Sequence, residues 1–317
     1  MNNQSAISVH RLLQETITKY VSPSARVVGT KELPIGSGLS GAKVRRYQVA
    51  LAGAHNGRTA VTLVTKEAAL LERRTSALLS AQGHACIPFT HMLDRTSDTT
   101  ALMCQQDVGD MFDPDTPEVL RLAADSLAAI HQMNLGQEEA LAWLPRADRT
   151  YFQAHVVDTT WRPAWNSALA HAGFVREFGP YINQVEAAAT MFPDAMEALC
   201  SDETSLTLVH MDLSVGNVLF QHNTIFFIDW QEPKYGSFYL DLPTHFWTLE
   251  RAEVYRQALT ARGLDISRTD FAEGYRAAAR YVAFRYLWWN LEVWIKEPTD
   301  GGTEWMIKYF KMAIGEN

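Results

Sequence analysis

The sequence predicts an α+β chain of two lobes. A small antiparallel β-sheet with a helix is expected over residues 1–106, and a mainly α-helical lobe over residues 107–317. Three observations carry this expectation. Before residue 110 the apolar residues come in short strand-like runs at 44–51, 59–66 and 100–104, separated by Gly- and Pro-containing turns. After residue 110 that pattern stops and helical spacing takes over, as in Leu120, Ala123, Leu127 and Ile130. Within the helical half, residues 206–232 stand apart as three apolar runs with polar residues at their ends.

Hydrophobic residues make up 47% of the chain and charged residues 20%, so a folded, well-buried protein is expected and a disordered one is excluded. Cys86, Cys104 and Cys200 are odd in number and widely spaced, which argues against a disulfide framework and against a cysteine metal site. The start lacks a basic stretch followed by an apolar core, and no apolar run is long enough to span a bilayer. A cytoplasmic, reduced protein with no membrane partner is the expectation. Charge is uneven: residues 1–100 hold 12 Lys+Arg against 6 Asp+Glu, leaving 16 against 30 for the remainder. A basic first lobe suits an anionic ligand and an acidic second lobe a cation. No basic stripe interleaved with aromatics is present, so nucleic acid is not an expected partner.

In chain order, residues 6–21 form an amphipathic helix with Ile7, Leu12, Leu13 and Ile17 near one face, ended by Pro23. Gly36, Gly38 and Gly41 fit Gly-x-Gly-x-x-Gly. A dinucleotide loop would open a helix, but a strand over 44–51 follows. A strand–glycine loop–strand hairpin lets backbone N–H groups approach phosphates, which makes Gly36, Ser37, Gly38 and Gly41 candidate phosphate binders. The next strand, 59–66, ends on Lys66, which could reach phosphates and pair with a glutamate of the following helix. Glu72 is the expected partner and Glu67 the alternative. Residues 85–88 enter another strand and 100–104 a buried one. Gln105, Gln106 and Asp107 then form the expected hinge, whose backbone would meet adenine. Thr116, Pro117 and Glu118 start a helix that runs to about Asn134. His131 at its end is expected to be a structural hydrogen-bonder. One or two helices follow over 151–200. Beyond the 206–232 stretch, residues 236–243 lead into a helix through about Gly263, then an aromatic helix over 269–296 and a last helix over 304–314. Those aromatics, beside Glu292 and Glu297, could bind a cation or simply pack the core.

The stretch 206–232 reads as strand, polar loop, strand, tight turn, strand, with His210, Asp212, Asn217 and Asp229 at its polar points. Phosphoryl transfer needs such a set. One carboxylate orients the attacking hydroxyl and accepts its proton, while a second carboxylate and an amide hold magnesium against the phosphates. Asp212 to Asn217 has the Asp-x-x-x-x-Asn spacing of a kinase catalytic loop, and Asp229 sits where a kinase metal-binding Asp would. A loop Asp more often caps a turn than does chemistry, so the order of all four is what tells.

The run 210–219 followed by Ile228, Asp229 and Trp230 resembles the aminoglycoside phosphotransferase/choline kinase superfamily, small-molecule kinases with a protein-kinase-like fold. The resemblance extends over most of the chain: Ser37, Gly38 and the strand after them look like the nucleotide loop, and Lys66 and Glu72 like the phosphate lysine and its partner. Leu102 to Gly109 looks like the interlobe hinge, and Asp241-Leu242 like the Asp-Leu after the metal site. It implies Asp212 as catalytic base, Asn217 and Asp229 as magnesium ligands, His210 as loop organiser, and ATP and Mg²⁺ as cofactors. Two positions depart from the family pattern. Met211 stands where Gly is usual between His and Asp, and Gln231 follows Trp230 where many members carry an acid.

The expected reaction moves the γ-phosphate of ATP to a hydroxyl of a polar, cationic small molecule, an aminoglycoside-type antibiotic first. A metabolic kinase acting on choline or ethanolamine, a sugar or homoserine is the alternative. A catalytically dead nucleotide-binding regulator is disfavoured by the presence of Lys66, Asp212, Asn217 and Asp229 together. A metal hydrolase built on His210, Asp212 and His222 lacks a compact ligand set.

Overall fold

The computed structural model describes residues 3–35, 43–54, 59–111 and 115–316. Two compact units group Met1–Leu122 with Val215–Pro233, and Ala123–Ser214 with Lys234–Asn317.

The first unit begins with helix α1 (Asn3–Tyr20) and strands β1 (Arg26–Leu33), β2 (Val44–Ala52) and β3 (Ala60–Ala68). Helix α2 (Leu70–Ala81) and strands β4 (Thr90–Met92) and β5 (Ala101–Gln106) follow. The five strands form one antiparallel sheet in the order β1-β2-β3-β5-β4. Register explains the burial. Tyr47 lies opposite Leu63, and Val44 and Met103 both lie opposite Lys66. Strand alternation therefore sends Tyr47, Val49, Leu51 and Leu63 to one face and Lys66 to the other. The first face packs on Leu12, Leu13 and Ile17 of α1. Each of these three is fully buried, which is worth roughly 1.5–3 kcal/mol per side chain. On the Lys66 face, Ala77 of α2 packs against Ala68, Met92 and Met103.

The same unit holds the hairpin of β7 (Val218–Gln221) and β8 (Thr224–Phe227). His222 and Asn223 connect the two strands at φ +48° and +60°. Two successive left-handed residues make the type I′ turn whose twist suits a two-residue hairpin, and Asn tolerates that region. Leu219 and Phe226 pack with Val108 and Ile228. The amides of Phe220 and Phe227 donate to the carbonyls of Met111 (2.8 Å) and Cys86 (3.0 Å).

The second unit is mainly helical. The chain passes from α3 (Pro117–Asn134) to α4 (Arg149–Tyr151), a π-helical stretch (Phe152–Trp161), α5 (Arg162–Leu169) and α6 (Ala172–Leu199). Strand β6 (Leu206–Val209) pairs antiparallel with β9 (Lys234–Ser237). Helices α7 (Leu242–His245), α8 (Leu249–Ala261), α9 (Arg268–Lys296) and α10 (Asp300–Ile314) complete the chain. Helix α9 buries Tyr275, Tyr281, Phe284, Leu287, Leu291 and Trp294 along its length, as a helix surrounded by others must. A Cβ at Gly274 would come within 2.5 Å of the Tyr239 ring, so the glycine lets that ring lie against α9. Trp161 stacks on Trp165 at 5.2 Å, and Phe174, Phe178, Trp294 and Phe310 meet edge to face or tilted. No helix among the described residues is long and apolar enough to cross a membrane.

Several boundaries differ from expectation. Strand β3 continues to Ala68, so Lys66 is not its last residue. The strand expected to start near 85–88 is the short β4, starting at Thr90. Gln105 and Gln106 belong to β5, and only Asp107 of the expected hinge follows the strand. The single helix expected to run to Gly263 is broken. Phe246 leaves the helical region at φ −98°, ψ 74°, and Thr248 caps a new helix by accepting the Arg251 amide.

Candidate active site

In the first unit the site is built around Lys66. Its ammonium, almost fully buried, lies 2.9 Å from Glu72 Oε1 and donates as well to Asp229 Oδ1. The sheet register sets the lysine on the α2 face, and Glu72 in the first turn of α2 reaches back to it. Glu67 is paired instead with Lys43, at 3.6 Å. Burial pushes the Glu72 carboxyl above its ordinary range, and the Lys66 charge only partly pulls it back. An isolated buried ammonium would be very costly, so both carboxylates are needed to hold this one.

Asp229 follows β8 at φ +65°, a left-handed conformation that costs a non-glycine residue energy. Its Oδ1 also accepts from Gln231 Nε2 at 2.6 Å, and its carbonyl accepts the Gln231 amide at 2.8 Å. The glutamine that replaces the family's usual acid therefore orients Asp229, a role the sequence did not signal. Asn217 precedes β7, and its carbonyl accepts the Ile228 amide at 3.0 Å. That bond sets the backbone of Asn217 beside the residue preceding Asp229. One carboxylate and one amide oxygen are a donor set that fits a hard cation sharing its remaining positions with water and phosphate oxygens. Among the described residues no group of three or more His, Cys, Asp or Glu could hold a metal ion.

Asp107 closes β5. Its Oδ2 lies 3.1 Å from Arg46 Nε and its Oδ1 accepts the Gly109 amide at 3.0 Å. Arg46 also donates through both terminal nitrogens to Asp110, at 2.7 and 2.6 Å. Strand β2 is thus tied to the segment after β5. The Gln106 amide is committed to the Phe89 carbonyl at 2.9 Å. Gln106 and Asp107 line a cavity of about 410 Å³ together with Gln48, Thr62, Gln221 and His222. Gly36, Ser37, Gly38 and Gly41 lie outside the described residues.

In the second unit the loop after β6 carries His210, Met211 and Asp212. Asp241, with no exposed surface, is its anchor. Its carboxylate accepts the amides of His210 and Met211, each at 2.7 Å, and lies 3.1 Å from His131 Nε2. His131 Nδ1 is 2.6 Å from the Tyr255 hydroxyl, so the imidazole is a structural bridge. Met211 sits at φ +70°. This explains why glycine is usual there, and both backbone polar groups of Met211 are pinned in compensation. The amide goes to Asp241, and the carbonyl accepts from the Tyr281 hydroxyl at 2.9 Å. His210, also buried, accepts the Asp212 amide at Nδ1, 3.3 Å away. The Asp212 carboxylate accepts from the Tyr286 hydroxyl. Neither tyrosine stood out in the sequence from the other aromatics of α9.

The sequence model of the phosphotransferase enzyme family matches residues 39–281. No curated protein matches the sequence. Among solved structures the chain is similar to a spectinomycin phosphotransferase in complex with ADP and spectinomycin, at 11% identity, over 96% of this chain and 97% of that one, with a TM-score of 0.58. It is similar to a thermostable mutant of an aminoglycoside phosphotransferase in ternary complex with AMP-PNP and hygromycin B, at 15% identity, over 95% and 97%, TM-score 0.52. It is also similar to a choline kinase from Streptococcus pneumoniae, at 13% identity, over 96% and 97%, TM-score 0.50. At these identities the likeness is one of fold, and that fold is kinase-like: a small antiparallel sheet followed by a mainly helical remainder.

Proposed function

The chain belongs to the phosphotransferase enzyme family and is a small-molecule phosphotransferase with a hydroxyl acceptor; we propose that its donor is ATP, used with Mg²⁺, and that its acceptor is a polar, cationic molecule of the aminoglycoside type. The observation that carries the nucleotide part is the buried Lys66 held between Glu72 and Asp229. A buried ammonium with two carboxylate partners is pre-positioned for phosphate oxygens. Glycines 36, 38 and 41 with Ser37 cover the phosphates in this reading, and residues 105–107, at the end of the first lobe (1–106), lie against adenine.

The acceptor hydroxyl attacks the γ-phosphorus, the bond to the β–γ bridging oxygen breaks, and the hydroxyl proton passes to Asp212. Asn217 and Asp229 hold Mg²⁺, which supplies charge neutralisation on the phosphates when bound. Lys66 exchanges its contact with Asp229 for the phosphates while Glu72 retains it. His210 and Asp241 fix the loop that carries Asp212. Positioning and preset charge supply most of the acceleration in such a reaction.

The acidic balance of the chain after residue 100 supports a cationic acceptor, as do the spectinomycin and hygromycin B bound by proteins of the same fold. A second reading, a choline-type kinase, rests on the choline kinase that shares this fold. A panel separates them: ADP release from Mg-ATP is measured with aminoglycosides, spectinomycin, choline, ethanolamine, homoserine and sugars. Turnover confined to the aminocyclitol and aminoglycoside members supports the first reading. Turnover with choline or ethanolamine alone replaces it by the second.

A further inference from the structure

We propose that Tyr286 is a positioning residue for phosphoryl transfer, holding the Asp212 carboxylate in the one orientation that meets the acceptor hydroxyl. This rests on Asp212 being the base. The observation is the hydrogen bond from the Tyr286 hydroxyl to Asp212 Oδ1. A carboxylate on a loop turns freely about two side-chain bonds, and a charge-assisted bond to a phenol stops that rotation. The phenol is itself fixed, because it projects from α9, whose neighbouring residues Tyr281, Phe284 and Leu287 are buried. The same helix pins the preceding loop residue, since Tyr281 donates to the Met211 carbonyl. Successive residues of the loop, Met211 and Asp212, are therefore braced by two tyrosines of one helix. Burial and the Asp212 charge push the Tyr286 phenol well above its ordinary range, so it stays a donor. Arg285 and Tyr309 are the other titratable side chains facing it.

The test compares Tyr286→Phe, Asp212→Asn and the double variant in the full chain. ADP release from Mg-ATP is followed with spectinomycin, with choline and with water as acceptor. Tyr286→Phe should lower kcat at least about 10-fold, leave the KM for ATP within about twofold, and leave the urea midpoint unchanged. Asp212→Asn should be inactive, and the double variant no worse than Asp212→Asn, because the tyrosine acts through that carboxylate. Two outcomes overturn the inference while sparing the base assignment, both with Asp212→Asn inactive: a kcat within twofold of wild type in Tyr286→Phe; or a rise in the KM for ATP together with a lower urea midpoint, which marks a merely structural role. An active Asp212→Asn, or a wild type that releases no ADP under any of the three conditions, overturns the base assignment and this inference with it.

Discussion

Removing the Asp241 carboxylate should be among the most damaging single changes in the second unit. In Asp241→Ala three donors lose their acceptor at once: the amides of His210 and Met211 at 2.7 Å and His131 Nε2 at 3.1 Å. The site has no exposed surface, so water cannot replace the carboxylate without opening the fold. Each orphaned buried donor costs about 1–3 kcal/mol, which for three donors sums to roughly 3–9 kcal/mol. That is a large share of a total stability of roughly 5–15 kcal/mol. Met211 would also lose one of the two bonds that hold it at φ +70°. The assay is urea unfolding followed by tryptophan fluorescence. Of the nine tryptophans only Trp230 lies outside the unit that holds Asp241, so the signal reports that unit. The midpoint should fall by several kcal/mol equivalents, with Asp241→Asn intermediate because its amide oxygen still accepts while its NH₂ faces a donor. A loss under about 1 kcal/mol in Asp241→Ala would refute the idea that this carboxylate anchors the loop.

Two further outcomes follow. Asp229→Ala should raise the magnesium concentration needed for half-maximal turnover, and an unchanged magnesium dependence contradicts the ligand assignment. Glu72→Gln tests the buried ion pair through pH. The folded-state value of Glu72 lies above its unfolded value because burial outweighs Lys66. Its contribution is then fully present below the ordinary glutamate range and is lost as pH rises through the raised value. The stability of the wild type relative to Glu72→Gln should therefore fall with rising pH across that window, and a difference that grows with pH would contradict the burial assignment.

Most of the first sheet and the 206–232 stretch were legible because their signals are local, whereas β1 (Arg26–Leu33), with its mostly exposed residues, gave no such signal. Alternating apolar residues placed β2 and β3, and Asn223 marked the hairpin turn between β7 and β8. The sequence could not show that β6 pairs with β9, because Lys234, Tyr235, Gly236 and Ser237 have no apolar alternation and are buried by tertiary contacts. The π-helical stretch at 152–161 and the break at Phe246 were likewise not legible in the residue spacing. Among site residues, Asp212, Asn217, Asp229 and Lys66 stood out through spacing along the chain. Gln231, Tyr281 and Tyr286 did not, because each acts through a partner's orientation and carries no motif of its own.

The assignment of Asp212 as the group that receives the proton of an alcohol attacking ATP is tested most directly in Asp212→Ala. Turnover on whichever acceptor supports ADP release in the wild type should be abolished, while Mg-ATP should raise the melting temperature of the variant and the wild type alike. Turnover within a few-fold of wild type would contradict the assignment of the base.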